Sequence, residues 1–289
     1  METQNLSVAG HNKRRVNDMN DEQTSFESQA SPVADWRVQW RSTKHGSDEY
    51  GDLFFKRAVG VIDEMESSKA AAKRVAALLQ ADETLADVGC GAGHYLRSLR
   101  REIPHNFQYR GLDATPQYVE LARKAFADSP SAQFEVADIF NLNLEDGSAD
   151  VTMCNNVLLH LPTIAQPLKE LVRISKRHLL IRTLVSDASY VVRRVTPSSS
   201  GDEFDAAGEP LSFHFLNIYS KAYLTKQLAA ETRVKSVHFE LDQDFDAARV
   251  SDSKSLLRAS GWNGTQVVDG MQRSGMLLMP WTWISIQCR

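Results

Sequence analysis

The chain has 289 residues, 42% hydrophobic and 24% charged, enough to bury a full core in one decorated domain or one domain with a small cap. A formal net charge of −4 supplies no basic field for a phosphate backbone, so a small-molecule partner is expected and a nucleic acid is not. Three widely spaced cysteines, Cys90, Cys154 and Cys288, include no C-x-x-C pair; this argues against a disulfide framework or a metal site and points to a reducing cytoplasm.

Residues 1–33 are polar, lack hydrophobic period and end near Ser31-Pro32, so they read as a disordered tail. Residues 34–80 read as a helical N-terminal cap, with Trp36, Trp40 and Tyr50 among charges and apolar residues at helical spacing from Ala58 to Leu79. Residues 81–289 form the expected main domain. Short apolar runs at Leu85–Val88, Gln108–Leu112, Gln133–Val136, Val151–Cys154 and Leu179–Val185 predict strands. Helices are predicted between them at Ala92–Arg101, Pro116–Ala127 and Ile164–Ser175. Such alternation implies an α/β fold with a parallel sheet covered on both faces. Residues 186–215, with Pro197 to Gly201 and Gly208-Glu209-Pro210, are too long for an ordinary connection and read as a lid insertion. Beyond it a helix is predicted near Ser220–Ala230, a strand near Val234–Leu241 and a last strand within Met276–Gln287, with an unassigned stretch before that. No apolar run approaches the ~18 residues of a spanning helix, so a soluble chain without a membrane partner is expected.

The segment Leu85-Ala-Asp87-Val-Gly89-Cys90-Gly91-Ala-Gly93-His94 is a strand that ends in an acid and a glycine-rich turn opening a helix. Glycines let the backbone approach a ligand closely, and a helix N-terminus offers N–H groups to an anion. The dinucleotide fingerprint G-x-G-x-x-G would need glycine where His94 stands, and the Asp87 carboxylate would repel a pyrophosphate. A cationic cofactor bearing an amino acid suits this turn better. Within it Cys90 matters through its backbone, since nothing nearby in sequence activates its thiol.

This pattern resembles the first motif of the class I S-adenosylmethionine-dependent methyltransferases, an acid, one spacer and Gly-x-Gly-x-Gly. The resemblance implies a Rossmann-like, seven-stranded, mostly parallel sheet with helices on both faces and the helical cap in front of it. It implies S-adenosyl-L-methionine as cofactor, held by Asp87, Gly89, Cys90, Gly91 and Gly93. Further stations match in order: Asp113, followed by Ala114, where the family holds the ribose hydroxyls, and Asp138 with Ile139 where it meets adenine. Asn155 matches the exit of the fourth strand, facing the methionine part. Asp113 serves equally as a helix cap and Asp138 as a turn residue.

On the acceptor side His160 is the candidate catalytic base, because histidine titrates near neutrality, although flanking Leu159 and Leu161 suit a packed ring. Arg182 and His214 are candidate substrate contacts, with packing or ion pairing as the plain alternative. The expected reaction is methyl transfer to oxygen or nitrogen of a small metabolite or sugar, with oligomeric state open. Two rivals stand beside it: an NAD(P)-dependent oxidoreductase, for which no Tyr-x-x-x-Lys pair is found at Tyr219-Ser-Lys221, and a catalytically inactive binding protein of the same fold.

Overall fold

A computed structural model describes residues 48–195, 201–252 and 265–289. The expected tail, residues 1–33, and the start of the cap, including Trp36 and Trp40, lie outside them, as do residues 196–200 of the expected lid. In chain order the elements are α1 (Asp48–Ala58), α2 (Glu66–Ala76), β1 (Thr84–Val88), α3 (His94–Glu102), β2 (Gln108–Asp113), α4 (Pro116–Ala125), β3 (Ala132–Val136) and β4 (Ala149–Asn155). A 3-10 turn at Leu158–His160 leads to α5 (Ala165–Ile174) and β5 (Ser175–Ser186). Then come β6 (Arg193–Val195), β7 (Phe213–Phe215), β8 (Tyr219–Ser220), α6 (Lys221–Ala229), β9 (Val234–Leu241) and α7 (Ala247–Asp252). The C-terminal part holds β10 (Thr265–Val268), β11 (Met271–Ser274), β12 (Leu277–Met279) and β13 (Trp281–Cys288).

Seven strands form the main sheet in the order β3-β2-β1-β4-β5-β13-β9, and the short β8 pairs with the end of β5. Neighbours from β3 to β5 run parallel, whereas β13 is antiparallel to both β5 and β9. The strict period of two explains the two cores. Ala86, Val88, Cys154, Leu179 and Ile181 face one side, packing with Leu168 and Leu171 of α5 and Leu224 and Leu228 of α6. Leu85, Val151, Met153 and Leu180 face the other, packing with Ala71 and Val75 of α2, Leu96 and Leu99 of α3 and Val119 of α4. A third cluster joins Leu159 and Leu184 to Leu216, Ile218 and Met279.

Helix starts follow local chemistry. Pro116 opens α4, where a missing N–H costs nothing. Ser220 caps α6, its Oγ accepting the N–H of Tyr223 at 3.1 Å. The expected helical spacing from Ala58 to Leu79 is divided in the structure. The chain breaks at Gly60, which takes φ 82, and α2 spans only Glu66–Ala76. Helix α1 comes close to α4, where a Cβ on Gly51 would sit 3.1 Å from Leu121.

The expected lid contains a two-stranded ribbon, with Arg194 opposite His214, and Tyr190 pairs with Ile218 at its base. The unassigned C-terminal stretch contains the antiparallel set β10-β11-β12. Asp269-Gly270, with φ 50 and 77, makes its first two-residue turn. The predicted last strand is interrupted at Pro280, between β12 and β13, because proline has no N–H to give a ladder. Among the described residues no helix is long and apolar enough to cross a membrane.

Candidate functional site

The loop after β1 is held open by backbone conformations that glycine adopts without strain: Gly89, Gly91 and Gly93 have φ of 84, 55 and 75. The N–H groups of Gly89 and Cys90 both donate to Leu112 O, at 2.7 and 3.1 Å, tying the loop to the end of β2. A Cβ on Gly111 would meet Phe134 at 2.6 Å, and one on Gly89 would overlap Val157 Cγ2. Helix α3 begins directly from Gly93 with no side-chain cap, so its N-terminal dipole is available to an anionic group.

Asp113 ends β2 and is tied to this loop. Its Oδ2 accepts the Gly91 N–H at 2.9 Å and its Oδ1 accepts the Thr115 N–H at 2.8 Å. With the Thr115 side chain as a further donor, these bonds leave about one of the roughly four acceptor positions of the carboxylate for a ligand hydroxyl. Burial pushes its pKa up, against the lowering effect of these two N–H groups and of the Thr115 side chain. Asp87 lies fully buried on β1, where its Oδ2 accepts the Tyr109 hydroxyl at 2.6 Å. Burial raises its pKa to about 7; the Tyr109 bond works against this and Asp113 adds to it. Two carboxylates in such surroundings favour a cation nearby. Cys90 is buried, its thiol pushed well up by burial and by Asp113 and Asp87, so it stays protonated.

Above the loop, Phe54 of α1 stacks on His94 with centroids 4.5 Å apart and planes 6° from parallel. His94 is buried, which together with Arg57 depresses its pKa to about 3, so the ring is neutral. Ala114 is half-buried beside Asp113. Asp138 follows β3 in a turn, accepting the Phe140 N–H at 3.1 Å through Oδ1, while Ile139 is buried in the core shared with α5 and α6.

Asn155 closes β4 beside Arg182 in the β4–β5 register. It is only 6% exposed, yet among the described residues neither its Oδ1 nor its Nδ2 has a hydrogen-bond partner. A buried amide with no partner is costly, and the glycine loop, two carboxylates and this amide together fit a cofactor with a ribose and an amino-acid end. No spacing rule in the sequence marks that orphan.

The acceptor-side candidates are dispersed. His160 is half-buried on the 3-10 turn, and its Nδ1 bonds the Phe215 carbonyl at 2.9 Å. A carbonyl only accepts, so the proton sits on Nδ1 and Nε2 is the basic nitrogen of the neutral ring. Arg182 is 3% exposed and ion-paired at 2.6 Å to the equally buried Asp242. His214 is half-buried on β7 in the ribbon. Asn217, four residues before helix α6, staples the ribbon's base to the 3-10 turn. It donates to Leu159 O through its backbone at 2.8 Å and to Leu161 O through Nδ2 at 2.9 Å.

Comparison with known proteins finds similarity over part of the chain. Residues 86–180 match the family described as "Methyltransferase domain". The chain is 32% identical over 121 residues to an uncharacterized 37.1 kDa protein in a transposon of Streptomyces fradiae, covering 40% of this chain and 35% of that one. It is 36% identical over 93 residues to 2-methyl-6-phytyl-1,4-hydroquinone methyltransferase of Synechocystis, covering 32% and 29%. Norajmaline N-methyltransferase of Rauvolfia serpentina is 25% identical over 120 residues, covering 40% and 39%. The chain thus spans well under half the length of these relatives. A crystal structure of a proposed sarcosine dimethylglycine methyltransferase from Galdieria sulphuraria shares the fold with TM-score 0.52 at 16% identity, over 82% of this chain and 97% of that one.

Proposed function

We propose that the chain, whose residues 86–180 match the family described as "Methyltransferase domain", transfers a methyl group from S-adenosyl-L-methionine to oxygen or nitrogen of a small molecule, a metabolite or sugar. The observation that carries this reading is the bond from Gly91 N–H to Asp113, which joins the glycine loop to the acid at the end of β2.

When bound, S-adenosyl-L-methionine supplies a methyl group already activated by a positive sulfonium. The protein's work is then positioning, exclusion of water and, for some acceptors, removal of a proton. Asp113 and Ala114 take the ribose, Asp138 and Ile139 the adenine side, and the backbone of Gly89, Cys90, Gly91 and Gly93 the amino-acid end. Asn155 supplies an amide donor and acceptor, and buried Asp87 favours positive charge nearby. His160, with Nε2 as its basic nitrogen, takes the proton when the acceptor is a hydroxyl or a protonated amine. His214 stands on the ribbon that serves as lid on the acceptor side. Two of the matched relatives are named for small organic acceptors, a hydroquinone and norajmaline, which supports that substrate class. Three buried free thiols suit a cytoplasmic setting.

Incubating the chain with isotopically methyl-labelled S-adenosyl-L-methionine and a panel of hydroxylated and amino metabolites tests this reading. Label is expected on a small molecule; label only on protein or nucleic acid, or on none of the panel while the cofactor binds, would overturn the substrate class.

A further inference from the structure

We propose that Asn156 is a positioning residue that sets the cofactor side of the β4 exit, and that Arg182 acts through it rather than on the acceptor. The inference rests on the proposed cofactor reading and concerns residues to which that reading gives no such role.

Asn156 is one of three non-glycine residues with positive φ among those described, at 61. Left-handed backbone is unfavourable for a residue with a Cβ, and asparagine bears it best. Here the conformation is clamped from two sides. Asn156 Oδ1 accepts from Arg182 Nη1 at 2.6 Å, and its Nδ2 donates to Tyr95 Oη at 3.2 Å. Its backbone N–H donates to Arg182 O at 2.9 Å.

Both clamping residues are themselves fixed. Arg182 donates through Nε to Asp242 Oδ2 at 2.6 Å, and its guanidinium lies 4.1 Å from the Trp281 ring centroid. Tyr95 donates its hydroxyl proton to Ser67 Oγ at 3.0 Å. A continuous set of bonds therefore runs from α2 through α3 and the β4 exit to β5 and the end of β9.

The neighbours of Asn156 give this clamp its consequence. On one side stands Asn155 with its unpartnered buried amide, and on the other Val157, packed where a Cβ on Gly89 would be. The φ of Asn156 sets the direction of both. A small rotation there would move the Asn155 amide and lift Val157 from the glycine loop together. Arg182 spends Nε, Nη1 and Nη2 on Asp242 and Asn156, which suits a support and not an acceptor contact.

Calorimetric titration of the full chain with S-adenosylhomocysteine, beside thermal melting, tests the proposal on wild type, Asn156→Ala, Asn156→Asp and Tyr95→Phe. Asn156→Ala is expected to weaken binding about tenfold or more, the scale of a lost hydrogen bond to a charged group. Asn156→Asp keeps an acceptor for Arg182 and tolerates positive φ but loses the Nδ2 donation to Tyr95, so its loss should be partial, about threefold. Tyr95→Phe removes the same side of the clamp and should match the Asp variant. Equal affinity of Asn156→Ala and wild type would overturn the proposal, as would equal losses in the Ala and Asp variants. If Asn156→Ala does not fold, Tyr95→Phe decides: weakened binding upholds the clamp and unchanged binding overturns it. A wild type that binds no S-adenosylhomocysteine removes the cofactor reading itself, and the clamp's purpose with it.

Discussion

The carboxylate of Asp113 accepts the backbone N–H of Gly91 at 2.9 Å, so the acid at the end of β2 also holds the loop at the end of β1. One side chain thus serves the fold and the proposed cofactor at once. Asp113→Ala should lose both, costing about 1–3 kcal/mol of stability for two unpaired N–H groups and weakening S-adenosylhomocysteine by tenfold or more. Urea denaturation and calorimetry check the two halves separately. A variant with lost stability and unchanged affinity would leave Asp113 as a turn residue alone.

Asn155 makes the opposite case. Its amide has no partner among the described residues, so Asn155→Ala breaks no hydrogen bond described there and relieves a buried polar group. The melting temperature is expected to hold or rise while S-adenosylhomocysteine binding weakens about tenfold. A fall in stability with unchanged affinity would mean the amide serves the core.

Gly89 has φ 84, and its missing Cβ is where Val157 packs. Gly89→Ala therefore meets backbone strain and overlap together, and should destabilise the chain by roughly 2 kcal/mol or more. Trimming the overlap with Val157→Ala in the same chain should recover part of that loss. Additive losses in the double variant would place the cost elsewhere.

Asp87 links the site to pH. Its pKa rises from the ordinary 3.8 to about 7 on folding, chiefly through burial, so between these values the folded state keeps a proton that the unfolded state has lost. Its contribution therefore lowers stability as pH rises from about 4 to about 7, at most on the order of 1.4 kcal/mol per unit, and then levels off. His94, held neutral down to about 3, acts in the opposite sense between there and its ordinary 6.5, so the informative quantity is a difference. Wild type minus Asp87→Asn, measured by urea denaturation from pH 5 to pH 8, should fall with pH to about 7. A flat difference would mean Asp87 is already ionised in the folded state.

Much of the fold was legible because it follows the period of two and the turns between runs. Strands β1 to β5 stand where apolar runs end in Asp, Gly or Asn, and β9 occupies Val234–Leu241 as predicted. Legibility failed where no period carries the signal. The break at Gly60 lies inside a run of helical spacing, and the Asp269-Gly270 turn sits in a stretch with little alternation. In the site, the glycine loop announces itself by spacing, and Asp113 follows from the resemblance that the loop carries. The roles argued for Asn156, Tyr95 and Val157 depend on contacts between distant segments, such as Arg182 to Asn156 and Tyr95 to Ser67, which only the folded sheet creates. Burial likewise gives Asp87 its unusual proton affinity, and that is a property of the packed core and not of the residue's neighbours in sequence.

The most direct test of the central claim is calorimetric titration of the wild-type chain with S-adenosyl-L-methionine, S-adenosylhomocysteine and NAD under identical conditions. Saturable binding of the first two at one site, with no heat from NAD, is the expected result. Binding of NAD alone, or of none of the three, would contradict it and leave a methyltransferase-like sheet without the cofactor that its glycine loop fits.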